Sequence, residues 1–245
     1  MKTKKYIEFA LKTLNCSQQD LAKQIGVSPT QITKWKKGEY MSYDTQQKFA
    51  KILNIGENPE EVVLSGSVEN SKKWKGLIKH IAEIVQEESE TGYDSYPLED
   101  EDDTLTYYTL EVLNDMGITI PKKFPLELDV SRENFEEDIY ENEIYGVINN
   151  IFYSLQSIWG FYRANIYNDL WNSGLIEDDE ANYMEMELEL INLAATKIKV
   201  NRNLAKNVQE FKHKWTVKYR DWLLNLKRDL YIKNIPIKAE FMDLI

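Results

Sequence analysis

The sequence predicts an all-α protein, with a small N-terminal helical domain and a larger C-terminal region of long helices. Two patterns carry that prediction. From residue 144 onward, apolar residues recur every three or four positions. Ile144, Ile148, Ile151, Leu155, Ile158 and Tyr162 make one series; Met184, Leu188, Ile191, Ala195 and Ile198 a second; Tyr219, Leu223, Leu226 and Leu230 a third. A spacing averaging about 3.5 residues puts each series on one stripe of a helix that needs a partner helix. Between Ser17 and Gly38, two short amphipathic stretches are instead framed by capping and turn residues.

The N-terminal elements follow in order. Ser17 is placed to cap a helix beginning at Gln18, and Asp20, three residues on, gives a weak form of the capping box. Leu21, Ala22 and Ile25 form the inner face of this helix. Gly26 permits the positive φ of a tight inter-helix turn, and Val27 anchors it. Ser28-Pro29 restarts a helix as N-cap and first helical residue. Ile32 and Trp35 face inward, and Lys36-Lys37-Gly38 closes the element, with cations at the negative end of the dipole and glycine as left-handed cap. Two short helices joined through a glycine turn make a helix-turn-helix, its second helix expected over 29–37.

Residues 4–56 resemble the phage lambda repressor-like (XRE) family of DNA-binding domains. Gln18, Leu21, Ala22, Ile25, Gly26, Val27, Ile32 and Trp35 occupy the family's framework positions without insertion or deletion. Tyr6, Phe9, Ala10 and Leu14 fit its first helix, and Phe49, Ala50 and Leu53 its closing helix. The resemblance implies double-stranded DNA as partner; no cofactor is expected. At about 100° per residue, the direction opposite Ile32 and Trp35 holds Thr30, Thr33, Lys34 and Lys37, with Gln31 on one flank. These are the expected base-reading residues. Lys34 suits guanine O6/N7, the threonines suit a hydrogen bond or a thymine methyl, and Gln31 suits adenine. The resemblance also implies that Gln18 approaches a phosphate from its helix N-terminus. Ser28, Lys36, Tyr40 and Ser42 are the other expected phosphate contacts, which position without specifying. Pro29 departs from the family, where a base-reading polar residue is common, so readout shifts toward Thr30 and Lys34.

The remaining organisation is read from composition. Residues 1–64 form the first domain, 65–71 a polar Gly/Ser-containing linker, 72–143 an acidic region, and 144–245 a long-helix bundle for oligomerisation or partner binding. Within 72–143, helices are expected around Trp74–Glu88 and Thr104–Met116, with an acidic loop over Tyr93–Asp103 and a proline-punctuated stretch over Gly117–Pro125. Asn172-Ser173-Gly174 is expected to end the helix begun at 144. No Gly or Pro lies between 180 and 233, so one long helix and two helices broken near Asn201–Asn203 both satisfy the pattern.

The formal charge of -11 argues against nucleic acid until it is divided along the chain. Residues 1–56 carry ten basic and four acidic side chains, while 83–143 carry three against twenty. A small basic reader is thus attached to an acidic body that the duplex should repel. Residues 197–245, with twelve basic and five acidic side chains, either extend the DNA contact or, as the opposite charges favour, dock on that acidic middle or on a second copy.

Several classes of chemistry find little support. One cysteine, Cys16, excludes a disulfide framework within the chain, and Cys16 itself reads as a small buried or capping-region residue. His80 and His213 sit in no metal-binding spacing, and no metal site is expected. The acids of Asp94–Asp103 lack an EF-hand arrangement, and no Gly-rich phosphate loop or nucleophile elbow is present. An enzyme is not expected. The uncharged stretch Ile144–Tyr162 contains Asn149, Asn150, Ser154, Gln156 and Ser157, so it reads as a buried helix rather than a membrane span. No export signal is seen, and the protein is expected to be cytoplasmic.

The expected function is a sequence-specific transcriptional regulator, a repressor of bacterial, phage or mobile-element origin, acting as a dimer. An alternative is an antitoxin or phage counter-defence type of interaction protein. There, residues 72–245 bind a protein partner and the N-terminal domain regulates its own promoter. A ligand-responsive regulator, with Trp159, Phe161 and Tyr162 lining a pocket, is a further reading.

Overall fold

The computed structural model describes residues 3–56, 58–88, 96–133, 135, 139–162, 180–232 and 234. Their helices are α1 (Thr3–Thr13), α2 (Gln18–Ile25), α3 (Pro29–Lys36), α4 (Tyr43–Leu53), α5 (Pro59–Ser65), α6 (Val68–Glu88), α7 (Tyr96–Glu99), α8 (Leu105–Asp115), α9 (Glu143–Tyr162), α10 (Glu180–Lys197) and α11 (Val208–Ile232). A single 3₁₀ turn covers Leu126–Leu128. The fold is all-α: among the described residues no strand forms, and an antiparallel bridge between Ile118 and Ala205 stands alone.

Many of these helices stop in the same way. A residue in the left-handed region turns the chain, and the next N–H reaches back to a carbonyl five residues earlier. Gly26 (φ 79°) precedes a bond from Val27 N–H to Ala22 O at 2.9 Å. Gly38 (φ 96°) precedes Glu39 N–H to Lys34 O at 3.2 Å. Asn54 (φ 53°) does the same without glycine, through Ile55 N–H to Ala50 O at 3.1 Å. Asparagine tolerates this conformation better than most residues.

The chain divides into two compact units: residues 1–76 with 120–126, and residues 77–119 with 127–245. In the first unit, Tyr6, Ile7, Leu21, Ile32, Met41 and Phe49 are buried to within 1% of full exclusion. Phe49 receives the edges of two aromatics, Tyr6 at 5.6 Å and Trp35 at 6.1 Å between ring centres. Of the framework residues named from sequence, Leu21, Ala22, Ile25, Ile32 and Trp35 are therefore core, with Phe9, Leu14, Cys16 and Val27 partly buried around them. Ile55, Val62 and Val63, the last two on α5, extend that core beyond residue 53.

Residues 65–71, expected as a linker, are mostly helical and internally bonded. Ser65 ends α5 and Val68 begins α6, leaving Gly66 and Ser67 between them. The Asn70 side-chain amide donates to Ser65 O at 3.1 Å and to Lys122 O at 2.7 Å. Ser71 Oγ donates to buried Glu61 Oε2 at 3.2 Å. A polar stretch usually reads as solvated, but Ser65, Asn70 and Ser71 are buried with their polar groups hydrogen-bonded. The helix expected at Trp74–Glu88 consequently starts at Val68. Trp74, fully buried, meets Phe124 edge-on at 5.1 Å, which fastens 120–126 to the same unit.

In the second unit, α10 packs against α8, α9 and α11. Ile144, Ile148, Ile151 and Leu155 are buried on α9 as their spacing requires, while Ile158 is half-buried. Ile191, Ala195 and Ile198 are buried around the end of α10. The 180–233 pattern resolves into two helices, because α10 stops at Lys197 and Leu204 and Ala205 N–H both return to Asn201 O at 3.0 Å. Asp100, at φ 55°, accepts Thr104 N–H (2.7 Å) and Leu105 N–H (2.8 Å), so the acidic stretch caps α8. The acidic loop expected over Tyr93–Asp103 contains the short helix α7, and α8 (Leu105–Asp115) fills the Thr104–Met116 expectation. Asn172-Ser173-Gly174 lies outside the described residues.

Candidate nucleic-acid interface

The helix-turn-helix is built from its caps inward. Ser17 Oγ accepts Asp20 N–H at 3.2 Å, and Ser17 N–H donates to Asp20 Oδ2 at 3.3 Å, completing the capping box. The Ser17 hydroxyl and then its N–H hold the Asp20 carboxyl below the usual carboxylate range. α2 thus starts at Gln18 and stops at Ile25. Gly26 turns the chain, and Ser28 Oγ accepts Gln31 N–H at 3.2 Å to open α3, with Pro29 in the first turn, where its missing N–H costs nothing.

The second helix runs to Lys36 rather than Lys37. Lys37 is its C-cap, because Gly38 reverses the chain and its N–H bonds back to Trp35 O at 2.9 Å. Ile32 and Trp35 are buried, at 0% and 5% exposure. Thr30, Thr33, Lys34 and Lys37 are exposed, and Gln31 is half-buried on their flank. Thr33 Oγ1 donates to Pro29 O at 3.1 Å, which leaves its methyl group and acceptor capacity for a ligand.

The residues named for phosphate contact divide by role. Gln18 is the first residue of α2 and half-buried. Ser28 is exposed but already engaged as the cap of α3. Lys36 is half-buried. Tyr40 is 84% exposed, while its carbonyl accepts the Trp35 indole N–H at 3.2 Å. The buried tryptophan therefore fixes the chain that carries this tyrosine. Ser42 precedes α4 and shares a 2.9 Å hydrogen bond with Thr45 Oγ1.

Two neighbours escaped the sequence reading. Tyr43, 69% exposed at the start of α4, adds a second aromatic beside Ser42. Glu39 Oε2 lies 3.6 Å from Lys34 Nζ, so an expected base-reading cation carries a counter-charge. The signal for Glu39 was Gly38: a left-handed cap ending α3 necessarily brings the following residue back beside Lys34.

Residues 7–58 match the helix-turn-helix family model. No curated protein and no solved structure matches the chain. The family match supports a DNA-binding regulator of this type, and it falls within the first compact unit. Among the described residues, no helix is long and apolar enough to cross a membrane. No group of three or more His, Cys, Asp or Glu side chains suited to a metal ion occurs among them either. Of the aromatics considered for a ligand pocket, Trp159 is buried and stacked on Tyr96 at 6.4 Å. The side chains of Phe161 and Tyr162 lie outside the described residues.

Proposed function

We propose that this protein is a sequence-specific DNA-binding repressor that inserts α3 into the major groove. The observation that carries the reading is the contrast across α3: Ile32 and Trp35 are buried, while Thr30, Thr33, Lys34 and Lys37 face solvent within a segment matching the helix-turn-helix family. Thr30 and Lys34 read base edges, Gln31 assists from the flank, and Gln18, Lys36, Tyr40 and Ser42 hold the backbone. A dimer places two copies of α3 in successive major grooves, about 34 Å apart, and excludes polymerase sterically. Such a protein works in the cytoplasm.

Selection of bound duplexes from a random pool by the full-length protein tests the reading. An enriched inverted repeat is the expected result, and equal affinity for every duplex refutes it. The dimer is supported by α11, where Val217, Leu224 and Tyr231, seven residues apart, are 45%, 42% and 78% exposed. The same stripe supports the alternative in which residues 72–245 hold a protein partner. Molar mass in solution separates them: a dimer favours the repressor, and a monomer favours the partner-binding reading.

A further inference from the structure

We propose that Glu39 is a specificity filter for Lys34, directing this lysine toward base edges and away from phosphates; the proposal rests on the DNA-reading role of α3 given above. The geometry begins in the backbone. Gly38 ends α3 in the left-handed region, and Glu39 N–H bonds to Lys34 O at 3.2 Å. This connection is independent of either side chain and keeps the two residues adjacent. Their side chains, 51% and 53% exposed, form an ion pair at 3.6 Å. Lys34 therefore approaches DNA with a carboxylate beside it.

The two acceptor classes on DNA respond differently to that arrangement. An ammonium has three N–H groups, so Lys34 can keep Glu39 and still donate to another acceptor. Guanine O6 and N7 are uncharged acceptors, and they accept from the lysine without repelling the carboxylate. A phosphate oxygen carries negative charge, so contact there sets like charges against each other or requires the pair to open. Glu39 itself accepts only from donors, and the major groove offers these as cytosine N4 and adenine N6 amino groups. The pair thus favours a guanine neighboured by an amino-bearing base. An exposed pair of this kind is weak, up to about fivefold in an equilibrium constant, so it discriminates without locking Lys34. The filter matters here because the reading face has few donors: Pro29 offers none and the Thr33 hydroxyl proton is committed to a backbone carbonyl.

The test uses full-length protein, the duplex enriched by selection and a random-sequence duplex, with Kd measured across a salt series. For Glu39→Gln, affinity for the random duplex is expected to rise about twofold to fivefold, and the salt slope to steepen by about one. Affinity for the selected duplex rises less, so the ratio between the two falls. Glu39→Ala is expected to follow Glu39→Gln. In a Lys34→Ala background the differential disappears, because the filter acts through the lysine. An equal gain on both duplexes is a general charge effect and overturns the proposal, as does no change on either. A wild-type protein that fails to distinguish the selected duplex refutes the DNA-reading role itself. A wild type that distinguishes it, with an unchanged ratio in Glu39→Gln, refutes the filter alone.

Discussion

Gly38 and Gly117 offer a controlled comparison, because both adopt positive φ but their surroundings differ. Their φ angles are 96° and 85°. An alanine at either position takes on left-handed strain of about 1–2 kcal/mol. At Gly38 the added Cβ meets nothing within 4 Å. At Gly117 it lands 2.8 Å from Asn207 N and 3.0 Å from Lys206 N, both backbone atoms that no rotamer change can move aside. The chain must part there, at a further cost of about 1–3 kcal/mol for overpacking. The displaced Asn207 N–H currently donates to Met116 O at 3.1 Å, and weakening that bond adds about 1 kcal/mol. Gly117→Ala should therefore cost about 3–6 kcal/mol and Gly38→Ala about 1–2 kcal/mol. Native-state hydrogen exchange on the full chain reads each locally. Gly117→Ala should lower protection of α8 and α11 amides, and Gly38→Ala that of α3 and α4. Equal losses for the two variants refute the close-approach argument, because strain alone then accounts for both.

The other predictions concern the reader domain. Ser17→Ala removes the hydroxyl half of the capping box, keeps the backbone N–H that donates to Asp20, and should destabilise α2 by about 1 kcal/mol, read by urea unfolding. Because folding lowers the Asp20 pKa, its contribution is present above the ordinary aspartate pKa and fades as pH falls through the folded value; Asp20→Asn should remove that acid dependence. Burial, reinforced by Glu60, pushes the Tyr6 hydroxyl well above its ordinary range, and that hydroxyl donates to Gln46 O at 3.3 Å. Stability is therefore intact below pH about 10 and is lost as pH rises further, and Tyr6→Phe should flatten the alkaline limb of a melting-temperature profile. In competition binding, Lys34→Ala should relax preference at one base pair, by about 1–3 kcal/mol, whereas Lys36→Ala should weaken all duplexes alike.

The helix-turn-helix was legible because its information is local. Ser17, Gly26, Ser28-Pro29 and Gly38 declare helix ends within a few residues, and the spacing of Leu21, Ile25, Ile32 and Trp35 fixes the buried faces of two helices of eight residues each. The reading face followed by subtraction, and Thr30, Thr33, Lys34 and Lys37 are exposed as that requires. The pairing of Glu39 with Lys34 was encoded equally locally, in the glycine between them, yet it needed the three-dimensional path of the cap to become visible.

The sequence by itself determined the helical class, the caps, the amphipathic faces and the segregation of charge, since each depends on neighbours a few positions apart. Only the tertiary structure decided where one compact unit stops. Asn70, Ser71 and Trp74 look like the polar edge of a linker followed by a new helix. Their partners Glu61, Lys122 and Phe124 lie 10, 52 and 50 residues away in the chain. A hydrogen bond or a ring contact across such distances leaves no periodic trace in composition. It stabilises the fold only after the chain has already brought those residues together, so the boundary at 76 and the return of 120–126 belong to packing alone.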